Sequence, residues 1–194
     1  LVRVGGIYGL QPVKHGAATH SPFHIHAPAG RDGLYLFVAR SGGHTATTPI
    51  VVSAIPKHKV LVVLPFMTWQ GRNPVDDDGD GMPNMLDLGI GVRGARPFAG
   101  NGLPAGFLHA EAPTVSWLDH THRKYDITTD LALALGQGPK LEGHKGVLIP
   151  GDARWLTRRL GAQLRAFVRN GGTLVSLVTG SLERRVRSSP SGRL

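Results

Sequence analysis

Between residues 76 and 87 the sequence spaces its carboxylates in a way that suits a hard divalent cation. The run Asp76-Asp77-Asp78-Gly79-Asp80-Gly81-Met82-Pro83-Asn84-Met85-Leu86-Asp87 offers side-chain oxygens at loop positions 1, 3, 5, 9 and 12. Ca²⁺ takes about six to eight oxygens, and a loop of about twelve residues can supply them from alternating acidic side chains, one backbone carbonyl and a final carboxylate. Asp76, Asp78, Asp80 and Asp87 fit those roles, with the Met82 carbonyl at position 7 and Asn84 at position 9. Gly81 falls at position 6, where the chain turns sharply and a residue without Cβ reaches φ > 0. The spacing predicts a structural Ca²⁺ site. The competing reading is a solvated acidic turn, because Asp, Gly, Asn and Pro are also ordinary loop residues.

A second group of polar residues follows short apolar runs. Thr68, Trp69, Gln70, Arg72 and Asn73 come after one run, Thr129 and Asp130 after another, and Asp152, Arg154 and Trp155 after a third. Ligands of open α/β sheets bind beyond the carboxyl ends of the strands, so these residues are expected to share one rim. There Trp69 or Trp155 would form an apolar wall, Asp130 or Asp152 a base, and Arg72 or Arg154 a clamp for a carboxylate or phosphate. The structural alternative is that Asp152 caps a helix and Trp155 packs on the sheet. His15, His20, His24 and His26 form an N-terminal cluster, in which His24 and His26 would share a strand face; it reads as a Zn²⁺ or Ni²⁺ site or as exposed polar positions. His120 and His122 beside Asp119 are a similar pair. Neither Ser176 nor Ser181 sits in a nucleophile-elbow pattern.

The elements that must position these groups divide the chain in two. Residues 1–56 read as β structure: Gly33 to Arg40 and Thr48 to Ala54 are rich in β-branched and aromatic residues, and Ser41-Gly42-Gly43-His44 between them makes a hairpin. That is too little for a full sandwich, so a partial, immunoglobulin-like module is expected. After Ile55-Pro56-Lys57-His58 the pattern changes. Val60-Leu61-Val62-Val63-Leu64, Val147-Leu148-Ile149 and Leu174-Val175-Ser176-Leu177-Val178 are continuous apolar runs, as in strands buried on both faces of a parallel sheet. Between the last two, Leu156, Leu160, Leu164, Phe167 and Val168 recur at helical spacing, with Asp152 as expected N-cap and Asn170-Gly171-Gly172 as stop. Strand, helix and strand make a βαβ unit. Tyr125 to Thr128 is a fourth strand, preceded by a short helix around 114–120. The expected fold is a doubly wound, flavodoxin-like α/β domain over 57–183, with a Gly/Pro-rich insertion at 68–112 and a basic flexible tail at 184–194. A bound ion would brace so long an insertion.

Four segments carry a family resemblance: Leu64 to Asn73 with its Thr68-Trp69-Gln70, Tyr125 to Asp130, Leu148 to Trp155, and Phe167 to Leu174. Together they resemble the C-terminal region of the N,N-dimethylformamidase large (beta) subunit family over about residues 30–183. The resemblance implies a class I glutamine-amidotransferase-like fold preceded by an immunoglobulin-like module, and hydrolysis of C–N amide bonds. It also implies a mononuclear iron held by two tyrosines and a glutamate, yet the corresponding positions here carry Arg72, Ala153 and Arg154. Guanidinium groups repel Fe³⁺, so iron is not expected. The loop 76–87 resembles the Asp-rich repeats of thrombospondin type 3, which implies an extracellular or cell-envelope setting.

Composition narrows the rest. The 194 residues carry 41% hydrophobic and 18% charged side chains, with 27 Gly, 14 Pro and no Cys, so a globular, turn-rich domain is expected, without disulfides or a thiol nucleophile. No uninterrupted apolar run is long enough to span a membrane. The net charge is +9, concentrated in residues 151–194, where nine Arg face two acids. No aromatic residue interleaves the tail arginines to stack on bases, so nucleic acid is not expected as a partner. The N-terminus starts with Leu1 rather than Met and shows no charged n-region followed by an apolar h-region, so the chain reads as a fragment with further domains in its parent. The reading that follows is a calcium-stabilised binding or scaffold domain for a small molecule or protein, with an amide hydrolase as the alternative.

Overall fold

The apolar runs of the second part become a parallel sheet, and the hairpin of the first part joins an antiparallel one. The computed structural model describes residues 1–4, 10–12, 16 and 32–194. Strands β1 (Val2–Val4), β2 (Leu10–Pro12), β3 (Gly33–Ser41) and β4 (His44–Val52) precede β5 (Val60–Leu64). Then come α1 (Phe66–Gly71), a 3-10 turn (Leu86–Leu88), α2 (Glu111–His120), β6 (Asp126–Thr129) and α3 (Asp130–Leu135). The order closes with β7 (Gly146–Ile149), β8 (Trp155–Thr157), α4 (Arg158–Arg169), β9 (Thr173–Ser176) and β10 (Arg184–Val186). The histidines His15, His20, His24 and His26 lie outside the described residues.

The antiparallel sheet runs β2-β1-β3-β4. Its hairpin pairs Ser41 with His44, and Gly42 and Gly43 take φ of 53° and 80° between them, the left-handed geometry that a two-residue turn needs. The parallel sheet runs β6-β5-β7-β9. Successive side chains of β5 point to opposite faces and feed two cores. Leu61 and Val63 pack with Leu131, Leu133, Leu160 and Leu164 of α3 and α4. Val62 and Leu64 pack with Val115 and Leu118 of α2, and with Val4, Leu34 and Leu36 of the antiparallel sheet. The two sheets therefore share a core. Each such fully buried aliphatic side chain contributes about 1.5–3 kcal/mol. Among the described residues no helix is long and apolar enough to cross a membrane.

Two expectations are corrected by this arrangement. The helix after β7 starts at Arg158, and its cap is Thr157, whose Oγ1 accepts from the Leu160 amide at 3.1 Å; Asp152 does not cap it. Leu156 belongs to β8 instead, because Trp155–Thr157 pairs in parallel with Arg184–Val186. That pairing also removes the flexible tail. Leu194 is buried and exchanges two backbone hydrogen bonds of 2.8 Å with Val92, since Val186 and Leu194 both reach the core beside α4. On α4 the apolar stripe is incomplete: Leu160 and Leu164 are buried, but Val168 is 46% exposed.

The insertion between α1 and α2 touches both sheets. At its far turn Gly102 takes φ 78° and lies so close to the Thr47 backbone of β4 that any Cβ would collide with the Thr47 carbonyl. Only glycine meets both demands.

Candidate functional site

Beyond the carboxyl end of β5 the chain turns directly into α1 and holds Trp69 over the sheet. The Trp69 ring meets Phe66 and Phe107 edge-on, at 6.1 and 5.7 Å between centroids. Its indole Nε1 donates to Glu111 Oε1 at 2.9 Å. Glu111 opens α2 and is buried, 2% exposed, with Oε2 lacking a partner among the described residues. Burial raises the Glu111 carboxyl above its ordinary range; the Trp69 hydrogen bond opposes the rise and the charge of Asp152 adds to it. The loop after β7 makes room for this carboxyl at Gly151, where a Cβ would collide with it.

Trp69, Glu111 and Asp152, with Thr68, Arg72 and His109, line a cleft of about 300 Å³. Asp152 mirrors Glu111: Oδ2 accepts from Arg72 Nη1 at 3.0 Å, while Oδ1 is buried and unpartnered. Two residues whose carboxyl groups each hold one oxygen in a hydrogen bond and bury the other thus line a small cavity beside an indole and a guanidinium. Such a set can receive N–H donors, or carry a proton between ligand and protein where one carboxyl is protonated. Behind it lies an ionic cluster. Asp87 accepts from Arg184 Nη1 at 3.1 Å and lies 3.6 Å from Arg72 Nε and 3.8 Å from Arg154 Nη1. Arg184 also stacks over Trp155, 5.3 Å from the ring centroid.

Of the residues expected at the rim, Trp69, Arg72 and Asp152 line the cleft, and Arg154 stands behind it in the ionic cluster, 4.0 Å from Asp152. Gln70 and Asn73 instead turn inward. They are buried around Arg96, whose Nη2 donates to the carbonyls of Gln70, Asn73 and Asn84 at 2.7–2.9 Å and whose Nη1 donates to that of Val75 at 3.0 Å. Gln70 Oε1 accepts from Arg96 Nε at 3.2 Å, and Asn73 reaches the Pro97 carbonyl and the Ala99 amide. Desolvation lowers the Arg96 pKa and the Asp77 carboxylate, 3.7 Å away, opposes that. These groups close the neck of the insertion rather than face a ligand. Asp130 is likewise internal: Oδ1 accepts from the Met67 and Leu131 amides at 3.0 and 2.7 Å, Oδ2 is unpartnered, and burial pushes its pKa up to about 7.

At the tip of the insertion one oxygen from each of Asp76, Asp78 and Asp80 falls within 4.8 Å of the others, and all three residues are exposed. Asp76 accepts from the Gly79 and Gly81 amides at 2.7 and 2.9 Å, and these bonds lower its pKa, Gly81 first. Asn84 donates to Asp78 at 3.2 Å and accepts from the Asp77 amide at 2.7 Å, and the Met82 amide donates to Asp80 at 2.8 Å. Asp87, expected as the closing ligand, is engaged with the arginines instead.

Sequence reasoning missed Glu111 and Arg96. Glu111 is the first acid after Asp87, in a stretch from 97 to 110 whose only titratable residue is His109. That isolation was the available signal.

Fold and rim together define a mixed α/β domain, an antiparallel sheet packed beside the α2 face of a parallel one, with a carboxyl-lined cleft beyond the strand ends. Residues 18–194 match the family model described as N,N-dimethylformamidase beta subunit-like, C-terminal, and the chain belongs to that family. A search of curated proteins returned no match. The positions that the family resemblance gives to iron ligands carry Arg72, Ala153 and Arg154. Ala153 offers no donor, and Arg72 and Arg154 place guanidinium groups on the neighbouring carboxylates.

Proposed function

We propose that this domain is a calcium-stabilised binding module of an extracytoplasmic protein, with the cleft at Trp69, Glu111 and Asp152 as its ligand site. The observation that carries the reading is the pair of half-satisfied carboxyl groups: Glu111 Oε2 and Asp152 Oδ1 are both buried without partners among the described residues, in side chains that line one cleft. A buried polar atom left unpaired costs about 1–3 kcal/mol, a cost that a ligand with suitable groups would remove. The exposed Asp76, Asp78 and Asp80 support the calcium assignment, and the thrombospondin-like spacing supports an extracellular or envelope location, where Ca²⁺ is plentiful. The β6-β5-β7-β9 order and the flanking antiparallel sheet are compatible with an amidotransferase-like core preceded by an immunoglobulin-like module.

A second reading, amide hydrolysis at a rebuilt rim, is favoured by the raised Glu111 carboxyl. Beside Asp152, it supplies an acid within reach of a second carboxyl group. One experiment separates the two. Small amides are titrated against the protein and against Glu111→Gln, following both binding and release of amine. Binding without turnover, weakened in the variant, supports the module; turnover lost in Glu111→Gln supports the hydrolase; neither binding nor turnover removes the cleft as the site.

A further inference from the structure

β9 stands apart from the other strands of its sheet. β5 buries four of its five residues, whereas none of Thr173–Ser176 is buried. A strand of a parallel sheet is normally covered on both faces and paired along its edges. β9 is the last strand of the order and, among the described residues, pairs only with β7. The Thr173 and Leu177 amides donate to Lys145 and Ile149, so odd positions face β7 and the Leu174 and Ser176 amides face outward. The strand carries no Lys, Asp, Glu or Pro to blunt that edge. Val175 is 42% and Leu177 55% exposed on the face opposite α4. On the α4 face an apolar groove of about 430 Å³ lies open between Leu164, Val168, Leu174 and Leu182.

Charge decides what would fit there. Arg165 and Arg169 line the same groove, and neither has a carboxylate partner among the described residues. A second copy of this chain would bring the same arginines to the seam, and like charges facing each other across paired strands are destabilising. We propose that the free edge of β9 and the apolar groove beside it receive an extended, acid-bearing segment of a partner polypeptide. The segment adds as a strand, hydrogen-bonding to the outward amides and carbonyls of Leu174 and Ser176. Its carboxylates, on the α4 face, meet Arg165 and Arg169 at the groove, and the alternate apolar side chains, on the other face, cover Val175 and Leu177.

The test uses two short peptides, one alternating Glu with Val and one alternating Lys with Val, added to the full chain while amide hydrogen exchange is followed. The Glu peptide should slow exchange at Leu174 and Ser176 about tenfold or more, and the Lys peptide should not. Arg165→Glu with Arg169→Glu should reverse that preference. Ser176→Pro, which removes an outward donor while sparing the bonds to β7, should abolish protection. If Ser176→Pro fails to fold, the charge-reversal variant still decides. Equal protection by both peptides, or none by the Glu peptide, overturns the proposal. Protection that instead grows with the concentration of the protein alone assigns the edge to a second copy and also overturns it.

Discussion

The neck and the tip of the insertion are both held by charged side chains, and they use them in opposite ways. At the neck Arg96 is buried and answered by four backbone carbonyls, the Gln70 side chain and Asp77. At the tip three aspartates are exposed and answered only by amides of their own loop and by Asn84. A buried charge must find its partners within the protein, whereas an exposed one can leave its valence to solvent or to an ion. The neck is thus complete as a protein structure, whereas the tip leaves its charge to solvent or to an ion.

The sharpest way to break that contrast is at the neck. Arg96→Ala should cost about 3–5 kcal/mol in chemical denaturation, because five acceptors would lose their donor at once, and Arg96→Lys should recover little, lacking the planar fork. An Arg96→Ala protein of unchanged stability would show that the neck is held by something else.

Asp130 extends the comparison to a buried anion. With a folded pKa of about 7 against an ordinary 3.8, the native state holds a proton that the unfolded chain has released between those values. Stability therefore falls as pH rises from about 4 to about 7, by up to about 4 kcal/mol. Asp130→Asn should remove that slope from pH-dependent melting while the rest of the profile remains. At the rim, Gly151→Ala should cost about 1–3 kcal/mol and weaken ligand binding, through its collision with Glu111; the paired variant Gly151→Ala with Glu111→Ala should recover stability in the same denaturation series.

The smallest effect belongs to the tip. In EDTA, Asp78→Ala with Asp80→Ala should change stability by less than about 0.5 kcal/mol, as expected for exposed groups. With Ca²⁺ at about a hundred times its Kd the parent should gain about 2.7 kcal/mol, which calorimetry would register as a rise of about 5 °C or more, and the variant should gain nothing. A parent that does not respond to Ca²⁺ leaves the loop as an acidic turn.

The strands of the parallel sheet were legible because burial on both faces writes a continuous apolar run, as in Val60 to Leu64 and Val147 to Ile149. The hairpin was legible from Gly42-Gly43. What escaped were relations that no local pattern records. Asp152 has the composition of a helix cap, but β8 intervenes and hands the capping to Thr157. Asp87 is in register with Asp76, Asp78 and Asp80, yet three arginines from distant segments, 72, 154 and 184, engage it. Gln70 and Asn73 look like rim residues because they follow a strand end; burial turned them toward Arg96. Glu111 is tied into the site by its bond to Trp69, 42 positions earlier, a pairing across the insertion that no local pattern records.

The seat of Gly102 on Thr47 has a mechanical consequence. The same excursion that carries the acidic tip and leads into Glu111 lies against β4 of the hairpin, so a side chain at position 102 would part the excursion from the hairpin. The sequence break near residues 55–58 marks a change of composition, and the sheets on either side of it share the core of Leu34, Leu36, Val62 and Leu64.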